Sequence, residues 1–496
     1  MMKKWSKKKK ITISILSVLT AYLVYLIVGM LAPFAVLKSV SDSYKTEKAQ
    51  KLADMYFPVT KKDYHDEMDE YGSDRAYLVE TPMEALDIRI QMLQDAKESI
   101  ILTTFDMREG ESTKDLWAVM LDAADRGVKI QVLIDGISGF LRIQGNDFMK
   151  AVFSHPNVQL RIYNMPNPLL PWTIHGRMHD KYIVVDGKVM LMGGRNTFDY
   201  FLGEYNTADL SYDREILIYD TTEGENEESA VEQVLDYFHH IWNLDVCDPM
   251  FEDKSKVNEP PYQETRKELG ERLKKIQMEK PELFLEDVPY MDMTVPVVSA
   301  SLITGPTGIF GKEPQVFASC VELMKRAQES VVIQTPYAVF SDWMEEEMMA
   351  VAQEVDQCKM LINSVANGDN VVASSDYLRH KKEILDTGIE VYEYDGGHSF
   401  HGKTILIDNR ISIIGSYNFD MRSTYVDTEM MLVVESEPFA KILKEKMDGM
   451  EGLSRKVIDE TSYEENPNVT VREIPWKKQF IFDVVGLGVQ ICRYLV

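Results

Sequence analysis

Two histidine-lysine pairs stand out in this chain for what they could do together. The first opens the run HDKYIVVDGKVMLMGGRN and supplies His179, Lys181, Asp186, Gly194 and Asn196; the second opens HGKTILIDNRISIIGSYN and supplies His401, Lys403, Asp408, Ser416 and Asn418. A single His-x-Lys arises by chance, but the same residue types at the same offsets, twice, on the same apolar background do not. Imidazole can act as nucleophile or proton donor near neutral pH. A lysine ammonium and an asparagine amide bring positive charge and N–H donors to the non-bridging oxygens of a phosphoryl group. Two such sets brought face to face make a phosphodiester site that carries its own cations. No His, Asp, Glu or Cys spacing resembles a metal-ligand set, so neither a metal nor a cofactor is expected.

The elements that must hold these groups can be read from the same runs. After each lysine comes a short apolar stretch, Tyr182 to Val185 or Thr404 to Ile407, then Asp-Gly or Asp-Asn, then a second apolar stretch. This is strand, turn, strand. His and Lys two residues apart share one strand face, whereas the Asp seven residues after the His has the opposite parity and lies past the strand end. Asp186 and Asp408 therefore read as turn formers or hydrogen-bond anchors within the catalytic motif, not as proton carriers. The imidazole nitrogen turned away from phosphorus needs an acceptor, and the carboxylates downstream of each motif are candidates: Asp213 or Glu215, and Asp427 or Glu429.

The duplication extends beyond the motifs. AKESIILTTF (96–105) parallels AQESVVIQTP (327–336), each closing a helix and opening a strand, and Thr81, Pro82 and Glu84 form a capping box for the first of those helices. Further strands are expected at Lys129 to Ile134 and Lys359 to Ile362, with helical periodicity between, so each half is α/β with a largely buried sheet. Between the halves, residues 251–290 are charged and contain Pro260, Pro261 and Pro281; they read as a linker with a solvated helix near Gln263 to Lys280.

The doubled HxKxxxxD motif resembles that of the phospholipase D superfamily, over nearly everything from Met83 to Glu451. SYNFDMRS (416–423), QTPY (334–337), SLITGP (301–306) and IEVYEY (389–394) are similar to the bacterial cardiolipin synthase branch. Two features depart from it: the first motif reads His-Asp-Lys where those synthases tend to have His-Arg-Lys, and one N-terminal hydrophobic span is present where two are usual. The resemblance implies two tandem phospholipase D-like α/β domains, pseudo-twofold, each a mixed sheet flanked by helices. They would occupy 81–250 and 291–455, behind an anchor at 1–37 and a juxtamembrane segment at 38–80 and ahead of a tail at 456–496. It implies phosphatidyl transfer from one phosphatidylglycerol to a hydroxyl of another through a phosphohistidine, releasing glycerol. The alternative is a hydrolase of the same fold, acting on phospholipid or nucleic acid. The resemblance favours His179 as nucleophile, His401 as acid and base, and Asp213 and Glu429 as the supporting carboxylates, with Gly194 and Ser416 beside them.

Composition bears on partners. The chain has 80 acidic and 54 basic residues and a net charge of −26. Nucleic-acid binding relies on Lys and Arg neutralising phosphates, so no nucleic-acid partner is expected. The four cysteines are scattered, without CxxC or a close pair, and argue for neither zinc nor a disulfide framework. A chain of 496 residues, less an anchor, is enough for about two ordinary domains.

Both ends of the chain point to a membrane. Six lysines within residues 3–10 precede 22 uncharged residues, Ile11 to Ala32, which as a helix would span about 33 Å against a hydrocarbon core of about 30 Å. With Pro33 next and no A-x-A in range, this reads as a single-pass cell-membrane anchor, not a cleaved signal. The denser lysine cluster precedes the span, which puts the N-terminus in the cytoplasm and the catalytic body outside it. At the other end, Gln479 to Val496 is an apolar helix with a narrow polar stripe, preceded by Trp476, Lys477 and Lys478. It suits a lipid headgroup boundary or a dock on the protein's own core equally. NPLLPWTI (167–174), just ahead of His179, reads either as an acyl-chain lip made by Leu169, Leu170 and Trp172 or as a rigid proline-rich connector.

Overall fold

The computed structural model describes residues 7–41, 44–57, 71–206, 210–222, 224–368, 370–472, 474 and 476–496. Lys3 and Lys4 of the basic N-terminus and residues 58–70 of the juxtamembrane segment lie outside them.

The chain forms two large mixed sheets. Its early strands are β1 (Asp74–Val79), β2 (Ser99–Thr104), β3 (Lys129–Asp135), β4 (Val158–Tyr163), β5 (Tyr182–Val185), β6 (Val189–Gly193), β7 (Ser211–Tyr212), β8 (Glu215–Asp220), β9 (Cys247–Met250) and β10 (Val295–Pro296). Then come β11 (Ser299–Thr304), β12 (Ser330–Gln334), β13 (Gln357–Asn363), β14 (Glu390–Tyr394), β15 (Ser399–Phe400), β16 (Thr404–Ile407), β17 (Ile411–Gly415), β18 (Met430–Glu435) and β19 (Ser454–Lys456). The strand orders are β10-β1-β8-β6-β5-β2-β3-β4-β9 and β11-β18-β17-β16-β12-β13-β14-β19, while β7 and β15 pair with each other. Strands β8-β6-β5-β2-β3-β4 match β18-β17-β16-β12-β13-β14 place for place. In each set the last three run parallel and the motif hairpin is antiparallel to them. The α/β fold is thus laid down twice.

The motif hairpins follow from their turn residues. Asp186 and Gly187 have φ of 52° and 67°, and Asp408 and Asn409 both 52°. Two successive left-handed residues make the tight turn whose twist suits flanking strands, and Asp, Asn and Gly tolerate it best. Strands β5, β6, β16 and β17 are buried along their whole length, because both sheet faces are covered. Ile183 and Val185 enter the outer core of the first half, while Tyr182 and Val184 point the other way, into a core shared by both halves. The second hairpin does the same, with Ile405 and Ile407 outward and Leu406 in the shared core. Helices Ala230–Trp242 and Glu437–Glu451 also contribute to that shared layer, so the two halves are packed through one apolar seam.

Between the halves, the helix Pro260–Glu279 differs from the solvated helix expected there. Tyr262, Leu269 and Ile276 are buried, the last two in the core of the first half, and Arg272 pairs with Asp115 and Glu111. One apolar residue in seven is too sparse a stripe to stand out against the surrounding charges.

At the N-terminus, Lys7–Leu31 is helical. The stretch Lys10–Phe34 is, among the described residues, the one helix long and apolar enough to cross a membrane; none of its most apolar 18-residue window is buried, whereas Phe34 at its end enters the core of the second half. The C-terminal helix Trp476–Val489 docks through Phe482, Gly486 and Val489 against the helix Val371–Asp386, where a Cβ on Gly486 would stand 2.6 Å from Arg379 Nε. Its other side leaves Trp476, Phe480, Val484 and Leu487 exposed.

Candidate active site

His179 and His401 stand just ahead of β5 and β16, at the carboxyl ends of the parallel strands β2 and β12, where open α/β sheets place their ligand crevices. Short cross-links between the halves fix both backbones. Met178 bridges Thr428 in parallel, Thr428 N donates to Arg177 O at 2.8 Å, and His179 N donates to Thr428 O at 3.3 Å. In the mirror position β15 pairs in parallel with β7, and His401 N donates to Tyr212 O at 2.7 Å. The next residue along each partner segment is a carboxylate. His179 Nδ1 lies 2.8 Å from Glu429 Oε1, and His401 Nδ1 lies 2.8 Å from Asp213 Oδ2. Each imidazole is therefore oriented by the opposite half.

The alternative carboxylates are engaged elsewhere. Arg89 and Arg195 clamp Glu215, while Asp427 takes the Arg422 guanidinium and the Arg177 N–H. The residue following each motif's Gly explains how the chosen carboxylates fit. A Cβ on Gly194 would stand 2.6 Å from Asp213 Oδ1, so glycine lets that carboxylate approach; at the equivalent place Ser416 donates its hydroxyl to Glu429.

Lys181 and Lys403 are buried beside their histidines. Lys181 Nζ donates to His179 O, and Lys403 Nζ lies 2.7 Å from Nδ1 of His401. Asn196 accepts the Asp106 N–H through Oδ1, which leaves its amide N–H groups to the cleft; Asn418 donates to Tyr337 Oη. Asp186 and Asp408 do not reach the cleft. Each sits at the far end of its hairpin strand and accepts three backbone N–H groups, from Lys97, Glu98 and Ser99 or from Gln328, Glu329 and Ser330. They pin the hairpin to the start of the neighbouring strand, so their place in the motif is architectural.

Burial makes the two pairs electrostatically different. It drives the His179 ring well below the usual imidazole value, with Lys181 and Lys403 adding to the effect. It also pushes Glu429 up to about 8. Burial opposes the Asp213 charge too, but Lys403, His401 and Arg195 outweigh it and hold that carboxyl well below the ordinary range. Burial lowers Lys181 to about 7, a deficit that a bound phosphate anion would relieve.

The cleft measures about 940 Å³ and is lined by Phe105, Asn196, Phe198, Tyr337, Val371 and His401 among others. Phe105 meets His179 edge-on at 5.3 Å, and Phe201 lies 5.2 Å from His401. These aromatic walls carried no sequence signal, since each is a lone ring just past a strand or in a loop. Asp180, which stands between His179 and Lys181 where arginine is usual in the resembled branch, is fully buried. It accepts hydrogen bonds from Tyr237 and from Thr428, the residue before Glu429.

A duplicated α/β unit whose two His-Lys sets are each braced by the other half, with His401 on the wall of the cleft, defines a class of two-domain proteins. Comparison with known proteins narrows the class. The family model "Cardiolipin synthase, PLD-like domain" matches residues 89–242 and 320–451, more than half the chain, so the protein belongs to that phospholipase D-like family. The chain is 27% identical over 409 residues to cardiolipin synthase C of Escherichia coli (strain K12), covering 74% of this chain and 83% of that protein. It is 23% identical over 368 residues to a cardiolipin synthase of Staphylococcus aureus (strain Mu50), covering 73% and 64%. In fold it is similar to the crystal structure of phosphatidylserine synthase from Haemophilus influenzae Rd KW20, with a TM-score of 0.61 at 15% identity over 91% of this chain and all of that one.

Proposed function

We propose that the protein is a membrane-anchored phosphatidyltransferase that makes cardiolipin from two molecules of phosphatidylglycerol through a phosphohistidine. The observation that carries this reading is the crossed arrangement at the cleft, two histidines each held by a carboxylate of the other half, with two buried lysines beside them. With its Nδ1–H donated to Glu429, neutral His179 carries its lone pair on Nε2. That nitrogen attacks phosphorus; the P–N bond forms as the bond to the glycerol oxygen breaks. His401, whose cationic form is stabilised by ionised Asp213, gives its proton to the departing oxygen. A hydroxyl of the second phosphatidylglycerol then returns a proton to His401 and attacks phosphorus, and the P–N bond breaks. Two lipids become cardiolipin and glycerol, with retention at phosphorus after two inversions. Lys181, Lys403 and the amide of Asn196 offset charge on the non-bridging oxygens.

The names of the curated relatives support the substrate class, and the apolar N-terminal helix supports the anchor. The denser lysine cluster before that helix favours a cytoplasmic N-terminus. Purified protein in detergent–lipid micelles containing phosphatidylglycerol should release glycerol and cardiolipin in near-equal amounts. Phosphatidic acid as the main product, unchanged as acceptor lipid is raised, would show a hydrolase instead. Cleavage of DNA or RNA at comparable rate, falling steeply with salt, would show a nuclease.

A further inference from the structure

The segment 165–174, MPNPLLPWTI, carries no charge, yet Leu169 is 70% and Leu170 40% exposed. It packs lengthwise against the N-terminal helix. Tyr22 Oη donates to Pro168 O at 2.9 Å and Tyr25 Oη to Leu169 O at 2.6 Å, and a Cβ on Gly29 would run into Pro171 Cγ. Tyr22 and Tyr25 lie nine and six residues before Leu31, where the helix ends. At 1.5 Å per residue these contacts fall about 13 and 9 Å below that end, within a hydrocarbon half-thickness of about 15 Å.

A loop at that depth can exist only if its backbone needs no water. From Asn167 to Leu170 every backbone polar group is absent or paired. Asn167 N donates to Thr173 Oγ1, Leu169 N to Asn167 Oδ1 and Leu170 N to Asn167 O. Pro168 has no N–H, and its carbonyl and that of Leu169 take the two tyrosine hydroxyls. Leu170 O accepts from both N and Oγ1 of Thr173. An ordinary solvent loop leaves such groups to water. Asn164 Nδ2 in turn donates to the carbonyls of Thr173, His175 and Gly176, which lead into His179.

We propose that residues 165–174 form a lip inserted into the leaflet next to the catalytic halves, with the acyl chains of that leaflet covering Leu169 and Leu170. The inference rests on the membrane-anchored reading above. The lip sets the height of the cleft over the bilayer, so that a phospholipid headgroup reaches the histidine pair while its chains stay in the leaflet.

The test uses the full chain in vesicles of phosphatidylglycerol and phosphatidylcholine, carrying Cys492→Ser because the other three cysteines are buried. An environment-sensitive fluorophore is attached at Leu169→Cys, at Val18→Cys in the N-terminal helix, or at Lys267→Cys on the exposed face of the helix between the halves. Leu169 and Val18 are both well exposed, so neither change threatens folding. The Leu169 label should be quenched by lipids brominated in mid-chain to the same extent as the Val18 label, and spared by iodide. A Leu169 label that answers to iodide as the Lys267 label does, while the Val18 label is still quenched from the acyl chains, overturns the lip. If acyl-chain quenchers reach neither label, the anchor itself is refuted and the lip falls with it.

Discussion

On the proposed mechanism, in which His179 attacks phosphorus, Glu429→Gln isolates what the opposite half does for that imidazole. The carboxylate lies 2.8 Å from His179 Nδ1, and its side chain and the ring are almost wholly buried. With His179 neutral, what the change removes is a charge-assisted hydrogen bond of about 1.5–3 kcal/mol, which at about 1.4 kcal/mol per decade is a loss of roughly 10–100-fold in kcat. KM should change little, because the glutamine is isosteric and Glu429 lies behind the ring. The pH profile adds a sign. Burial raises Glu429 to about 8, so the carboxyl is protonated below that pH and ionised above it. Protonated, it donates to Nδ1 and moves the ring proton to Nε2, which removes the lone pair that attacks phosphorus. Wild-type kcat should therefore rise as pH increases through about 8, and the residual activity of the variant should lack that rise. Stopped glycerol-release assays on micellar phosphatidylglycerol between pH 6 and 9.5 read both quantities. Full kcat in the glutamine variant, or a wild-type profile that falls across this window, would refute the reasoning.

Three further outcomes are expected. With a donor whose leaving group needs no proton, His401→Ala should accumulate an acid-labile phosphatidyl adduct visible by intact-protein mass spectrometry and His179→Ala should not; the reverse pattern would exchange their roles. Turnover should persist in EDTA, since Lys181 and Lys403 supply the positive charge, and a chelator loss restored by magnesium or calcium would contradict that. Gly194→Ala places a methyl group 2.6 Å from Asp213 Oδ1 and should displace the carboxylate from His401, lowering kcat by about 10–100-fold, the value of a charge-assisted hydrogen bond, with little change in melting temperature.

The strand-turn-strand character of each motif, the shared face of His and Lys and the α/β repeat were all legible, because they depend on spacing and local turn chemistry. The choice of Asp213 over Glu215 was open in sequence. The two lie two residues apart at the start of β8 and share a parity, and what separates them is the Arg89 and Arg195 clamp on Glu215, drawn from a distant helix and from the motif itself. The crossing of the pairs was equally hidden. It is set by the parallel bridges Met178 to Thr428 and Phe400 to Tyr212, contacts between segments some 190–250 residues apart in sequence that leave no periodic trace. The C-terminal helix reconciles two readings that sequence left equal, since one face docks on the helix Val371–Asp386 and the other stays exposed and apolar.

Crossed support also bears on when the enzyme can first act. As the chain is made, the first half is complete in strands long before Glu429 emerges, and its own Asp213 has no imidazole to hold until His401 follows. Neither histidine takes its carboxylate from its own repeat, so on the proposed mechanism a nascent or truncated chain would carry a full HxKxxxxD motif without the partner that orients its ring. On the proposed mechanism turnover would begin only once the two repeats have closed on each other, so docking of the halves would be the step that switches the site on.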